Sequence, residues 1–267
     1  VIRMIAVVRS ELTKIVTQPT VWLVTGILVA LHVLVQYQGA GLFRRAMSSI
    51  TPDGMIQIFV GRTEPAEPAL IELLVAGSLQ ICLFVWVLGA VIAGSEIRAG
   101  QLGVSVLAVP SRARLILGKA IATALYALVV GLVFAAIATA FMYLVVKDWN
   151  PSILWSQEAI LGQSRILLLT VTITLVALGI TLIARRTLVG IIAIAVLLGL
   201  TMTQLVALVS PVMDAFLPYS AARNLLLREG ATPPLTADPL HATIVLIAWA
   251  SISVAVAGVV VRRRDAR

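Results

Sequence analysis

Residues 166–184 read ILLLTVTITLVALGITLIA, nineteen positions free of Asp, Glu, Lys and Arg, closed by Arg165 before them and by Arg185 and Arg186 after them. A hydrocarbon core of about 30 Å is crossed by roughly 20 apolar residues rising about 1.5 Å each. The stretch therefore has the length and composition of a transmembrane helix. Outward from it, five more charge-free runs reach this length: 15–43, 73–95, 120–146, 187–213 and 239–261. The next longest, 99–111, is too short to cross. Trimmed at proline, glycine and polar punctuation, the expected spans lie at 19–38, 70–94, 115–146, 166–184, 188–209 and 242–261.

The composition agrees. The 267 residues are 60% hydrophobic and 12% charged, with mean hydropathy +1.06, against about 45–50% and 25% in soluble domains. Too little charge is available to cover a water-facing surface, which excludes a soluble enzyme. Disorder needs the opposite bias, and Cys82 is the sole cysteine, which excludes a disulfide-stapled module. The fold class expected is an all-α integral membrane protein: an amphipathic interfacial helix over 1–18, then a single six-helix transmembrane domain over 19–267.

Charge position sets the expected orientation, because Lys and Arg accumulate on the cytoplasmic side. The N-terminus, the loops after spans two and four, and the C-terminus hold thirteen cations against Glu11, Glu96 and Asp265, or +10. The opposite side holds seven cations against nine acids, or −2. Both termini are thus expected in the cytoplasm. The net +8 needs no nucleic acid to explain it, since the cations lie at helix ends, beside anionic lipid.

Residues before Pro19 read as an interfacial helix rather than a signal peptide. Met4, Ile5, Val8, Leu12, Ile15 and Val16 share one face and Arg3, Arg9, Ser10, Glu11, Thr13 and Lys14 the other, with Val7 as a misfit. The loop over 39–69 is polar and proline-bearing. The loop over 210–241 is more apolar and reads as short helices dipping back toward the membrane before span six.

Enzyme constellations are missing from the sequence. Two histidines, His32 and His241, and one cysteine cannot make HExxH or a Cys/His zinc cluster. There is no GxSxG elbow. The one Gly-Lys pair, Gly118-Lys119, is followed by alanine where a phosphate loop needs Ser or Thr. The six runs hold no Asp, Glu, Lys or Arg, which disfavours an ion-coupled carrier. The chain is expected to be no enzyme and to bind no cofactor or metal itself.

The loop between spans two and three reads GSEIRAGQLGVSVLAVPSRARLILGK over 94–119. Leu102, Val106 and Val109 recur at helical spacing between a glycine hinge and Pro110, with charges on both flanks. A positively flanked loop explains the arginines. A docking helix for a cytoplasmic partner also explains Glu96 and the apolar stripe.

This loop resembles that of ABC-2-type transporter permeases, in Gly94 and Glu96, Gly100-Gln101-Leu102, Pro110-Ser111-Arg112 and Gly118-Lys119, with Gln101 where that family usually has threonine. The resemblance extends to the N-terminal Arg9-Ser10-Glu11-Leu12-Thr13-Lys14 helix, to Leu217-Pro218-Tyr219-Ser220-Ala221 before span six, and to the Arg262-Arg263-Arg264-Asp265 tail. It implies a permease subunit of a prokaryotic plasma-membrane exporter. Its partners would be two copies of a cytoplasmic ABC ATPase, which hold the ATP and Mg, and a second permease subunit, identical or related. It implies a coupling helix in this loop, with Glu96, Arg98, Gln101, Ser111, Arg112 and Arg114 at or near the ATPase, and Arg185 and Arg186 as further candidates.

By depth along the spans, Gln36, Gln80 and Gln204, with Thr201 beside the last, fall in the outer half of the membrane. Interhelical hydrogen bonding accounts for them. A cavity for a drug, antimicrobial peptide or lipid-like amphiphile is the alternative. Thr170, Thr174 and Thr181 share a face of span four, where bonding back to the preceding turn is expected. The competing functional readings are an autonomous channel or secondary transporter for a small solute, and a membrane enzyme or sensor.

Overall fold

The computed structural model describes residues 4–59, 62–98, 111–227 and 234–263. Among them, helix α1 (Met4–Thr17) leads into α2 (Pro19–Met47), whose proline sits in the first turn, where its missing N–H costs no bond. A β-hairpin follows, β1 (Met55–Phe59) paired antiparallel with β2 (Arg62–Pro65). Next come α3 (Ala66–Arg98), α4 (Arg112–Val146), a 3-10 turn at Pro151–Trp155, and α5 (Gln157–Ala184). The chain closes with α6 (Thr187–Met202), α7 (Leu205–Val209), α8 (Pro211–Ala215), α9 (Pro218–Leu226) and α10 (Pro239–Arg263).

Five of these helices, α2, α3, α4, α5 and α10, are long and apolar enough to cross a membrane. The protein is helical with membrane-spanning character. Each of the five overruns its expected span: α2 reaches Met47 rather than 38, and α5 begins at Gln157 rather than 166. The extension of α2 begins with the apolar stretch 39–43 before Arg44 and Arg45, whereas that of α5 carries Gln157, Glu158, Gln163 and Arg165. The expected fifth span, 188–209, is not one helix. The apolar helix α6 has 16 residues and stops at Met202, and Gln204 takes a left-handed backbone (φ 59°) before α7. Thr201 and Thr203 bond their hydroxyls back to carbonyls one turn earlier, the local competition that weakens a helix end.

The hairpin is also a departure from the all-α expectation. It lies in the 39–69 loop, where Ile56 is fully buried with Leu70, Leu74, Met142, Val146, Ile153 and Leu154 in a small core of its own. Asn150 Nδ2 donates to Glu67 Oε1 at 2.8 Å across that end.

The centre of the bundle is α5, packed most extensively on α3, then α10 and α4. Two-thirds of its apolar window is buried, against 28% for α2 and 33% for α10. Glycine makes this packing possible. A Cβ added at Gly89 of α3 would sit 2.1 Å from the carbonyl oxygen of Thr174, and one at Gly179 of α5 2.6 Å from the backbone of Ser253 on α10. Helices in lipid associate through such close backbone approach, because apolar side chains gain nothing by leaving lipid tails for one another. The expected threonine back-bonds are present at Thr170, which donates to Ile166 O (2.8 Å), and Thr174, which donates to Thr170 O (2.7 Å), but not at Thr181, whose buried hydroxyl has no hydrogen-bond partner among the described residues.

Candidate functional site

The side of the bundle carrying α1 and the end of α10 also carries both ends of the segment that joins α3 to α4. Its construction begins with α1. Val7, Glu11 and Ile15, spaced four apart, form the buried stripe of this helix, while Ile5 is 77% exposed. The sequence reading put Glu11 on the polar face and treated Val7 as a misfit; the structure corrects both. Val7 packs on Gly118 and Glu11 reaches Lys119, so one row of α1 lies along the Gly118-Lys119 pair of α4.

Glu11 and Lys119 are each 2% exposed and joined carboxylate to ammonium, and Lys14 Nζ lies 2.5 Å from the other carboxylate oxygen. Burial alone would raise the Glu11 pKa. The charges and hydrogen bonds of Lys119 and Lys14 outweigh it and hold the carboxyl below its ordinary value.

Three further ties fasten the same side. Ser95 Oγ, near the end of α3, donates to Gln18 Oε1 at 2.6 Å. Arg112 Nη1, at the start of α4, donates to the carbonyls of Val261 (2.9 Å) and Arg262 (3.3 Å), two of the orphan acceptors at the end of α10. Gly94 packs on Thr187, just after the Arg185-Arg186 pair. The turn there is tight: Arg185 is left-handed (φ 54°), and its N–H caps α5 through Thr181 O.

Of the expected coupling residues, Ser111, Arg112, Arg114, Arg185 and Arg186 are described with their side chains. Ser111 caps α4, its hydroxyl accepting from Arg114 N at 3.5 Å. Arg114 and Arg186 are exposed, and Arg185 is half-buried. Glu96 and Arg98 fall in the last turn of α3, but their side chains lie outside the described residues, as do Gln101 and the expected 102–109 helix. Two of these residues have local structural roles the sequence reading did not assign, Ser111 as a cap and Arg112 as an anchor for α10. Ser111→Ala is expected to cost about 0.5 kcal/mol, the low end for a lost cap because the bond is long, as read from a denaturation midpoint in detergent.

Of Gln36, Gln80, Thr201 and Gln204, the last two are joined, Gln204 Nε2 donating to Thr201 O at 3.2 Å. Gln36 of α2 is buried against Gly77 of α3. Gln80 sits one turn further along α3, its side chain outside the described residues. Thr201 donates to Leu198 O at 2.9 Å, and Gln204 Oε1 accepts from Arg223 Nη1 at 2.9 Å.

That last bond opens a polar cluster absent from the sequence reading. Arg223, Asn224 and Asp214 are buried in the α8–α9 segment, and Thr236 bridges Asn224 Nδ2 (3.0 Å) and Asp214 Oδ2 (3.3 Å). Trp249 Nε1 of α10 donates to Phe216 O at 2.8 Å, pinning the segment to the bundle. His32 of α2 is a packed, hydrogen-bonded residue: its Nε2–H donates to Phe134 O at 3.0 Å, and the two rings lie 5.0 Å apart. The spacing of Val7, Glu11 and Ile15 could have exposed the α1 contact; nothing in the order of residues pointed to Arg223 and Gln204. No protein-family model matches the chain, and no curated protein is significantly similar to it.

Proposed function

We propose that the chain is the permease subunit of an ATP-driven exporter of the ABC-2 type, moving a hydrophobic or amphipathic substrate, with both termini in the cytoplasm of a prokaryotic cell. A second permease subunit completes the pathway, and two soluble ATPase subunits supply the energy. The sequence of the α3–α4 segment suggests the family. The observation that best supports coupling is the anchoring of that segment's two ends.

A force applied between residues 96 and 111 has short routes into the bundle. It reaches α1 through Lys119 and Glu11, α10 through Arg112, α2 through Ser95 and Gln18, and α6 through Gly94 and Thr187. A docked partner that pushed on this segment would move several helices together rather than bend one loop.

Arg114 offers the cleanest test, because it is exposed and its side chain makes no hydrogen bond or ion pair among the described residues. Arg114→Glu is expected to leave thermal stability and membrane insertion unchanged while lowering ATP-driven transport and ATPase co-purification about tenfold, through like-charge repulsion at the docking surface. Unchanged co-purification and transport would remove this face from the coupling interface. Arg112→Glu is a poorer probe, since it also strips α10 of its anchor.

A secondary carrier is the second reading, favoured by one observation. Asp214 is fully buried, and its Oδ1 has no hydrogen-bond partner among the described residues, the kind of group that proton-coupled carriers use. Reconstitution decides between them. Uptake by this chain alone under a pH gradient, abolished in Asp214→Asn, would favour the carrier; transport only with a co-purified ATPase and ATP would favour the exporter.

A further inference from the structure

On the side opposite the termini, the ends of α2 and α4 enclose two adjoining notches that share Arg44 and Leu144. One, of about 640 Å³, runs between the last turns of the two helices, with Leu42, Phe141 and Leu144 as apolar walls and Arg44 and Arg45 at its rim. The other, of about 460 Å³, continues past Arg44 to Lys147 and Trp149.

Three observations converge there. The first is charge. Only seven cations are placed on this side of the membrane, where Lys and Arg are not needed for topology, yet Arg44, Arg45 and Lys147 all border this one feature. Asp148 is the single acid among the lining residues, leaving a surplus of two positive charges. The second is availability. The side chains of Arg44 and Lys147 make no hydrogen bond or ion pair with the described residues, whereas Arg45 Nε is committed to Gly41 O at 3.2 Å. The third is depth. Arg44 lies about 38 Å along α2 from Pro19, beyond a hydrocarbon core of about 30 Å and so at headgroup level. Exposed Tyr37 (69%) and Trp149 (37%) flank it as aromatic residues do at an interface.

The geometry points to a binding site for an anionic glycerophospholipid of that leaflet, with its phosphate held between Arg44 and Lys147 and an acyl chain laid along Leu42, Phe141 and Leu144. A zwitterionic lipid fits the apolar wall equally well but brings its own cation to a surplus of positive charge. The site rests on the membrane-spanning reading of the chain and not on the exporter reading.

The test is lipid retention, which needs neither ATP nor transport. The full chain, reconstituted in nanodiscs of equal phosphatidylglycerol and phosphatidylcholine, is released in the gas phase and its bound lipids are counted by native mass spectrometry. Wild type is expected to retain phosphatidylglycerol about tenfold over phosphatidylcholine, the preference that a pair of interfacial cations can supply. The enrichment is expected to vanish in the R44A/K147A double variant. It is also expected to vanish in Leu144→Trp, which fills the notch and keeps every charge. R262A/R263A, which removes two cations from the opposite side, is expected to leave it intact. Equal retention of the two lipids by wild type, or persistence of the enrichment in either the double variant or Leu144→Trp, overturns the proposal. Failure here would leave the exporter reading untouched, because no step of this assay depends on it.

Discussion

Lys119→Met is expected to destabilise the protein by about 3–5 kcal/mol, the typical consequence of leaving one member of a buried ion pair without its partner. Glu11 has a side chain only 3% exposed, so its carboxylate cannot recover in water what it loses in Lys119. Lys14, half-buried and 2.5 Å from the other carboxylate oxygen, keeps part of the compensation, which places the loss at the lower end of that range. The measurement is the midpoint of loss of helicity in a denaturant or temperature series in detergent. The double variant Glu11→Gln, Lys119→Met is expected to recover most of the loss, since a neutral pair of similar volume is often as stable as the ion pair it replaces. A single variant as stable as wild type would mean that α1 does not lie on α4.

The same pair sets a pH dependence. The folded Glu11 pKa is held below its ordinary value of 4.5, so the unfolded chain binds the proton more readily. The contribution to stability is then complete above about 4.5 and disappears as pH falls through the lower folded value. In Lys119→Met the main opposing charge is gone and burial dominates. The folded carboxyl then takes up a proton more readily than the unfolded one, so the acid-side loss from this group is expected to disappear in Lys119→Met and its stability, relative to wild type, to recover as pH falls.

Gly89→Ala is the second large effect, at about 3 kcal/mol, the upper end for overpacking a filled interior. The obstacle is the Thr174 carbonyl oxygen, 2.1 Å from the position of the new carbon. A side chain could rotate away, but a backbone carbonyl inside a helix can move only by shifting the helix. The expected readout is a lowered midpoint and a loss of the monodisperse peak in size exclusion. Gly26→Ala is the control: a carbon added there meets nothing within 4 Å among the described residues, and the gain in helix propensity, up to about 1 kcal/mol, is expected to stabilise slightly. Equal behaviour of the two variants would contradict the α3–α5 packing.

The long helices were legible because their signal is carried residue by residue. Every charge-free run except 187–213 became a single long helix with its ends within about ten residues of the expected ones. The exception is instructive. The run 187–213 is as apolar as the rest, and hydropathy cannot register a left-handed residue at Gln204 or the Arg223 side chain that meets it. The hairpin at 55–65 was hidden for a related reason: Ile56, deeply buried, finds partners not only on the adjoining α3 but on α4 and the 151–155 turn, far along the chain.

What the sequence by itself determined is the membrane-spanning character and the grouping of charges between spans, because transfer of a segment into lipid depends on its own composition. Which helix faces touch was decided by the tertiary structure alone. In water the buried face of a helix announces itself by being the apolar one; in lipid both faces are apolar, and the pattern is silent about which is inside. The helices α3 and α5 are buried and α2 and α10 are not, yet all four read alike as sequence. The Glu11–Lys119 pair joins positions 108 residues apart, and the sequence reading placed both at the membrane surface. Only the fold shows them as a single buried contact.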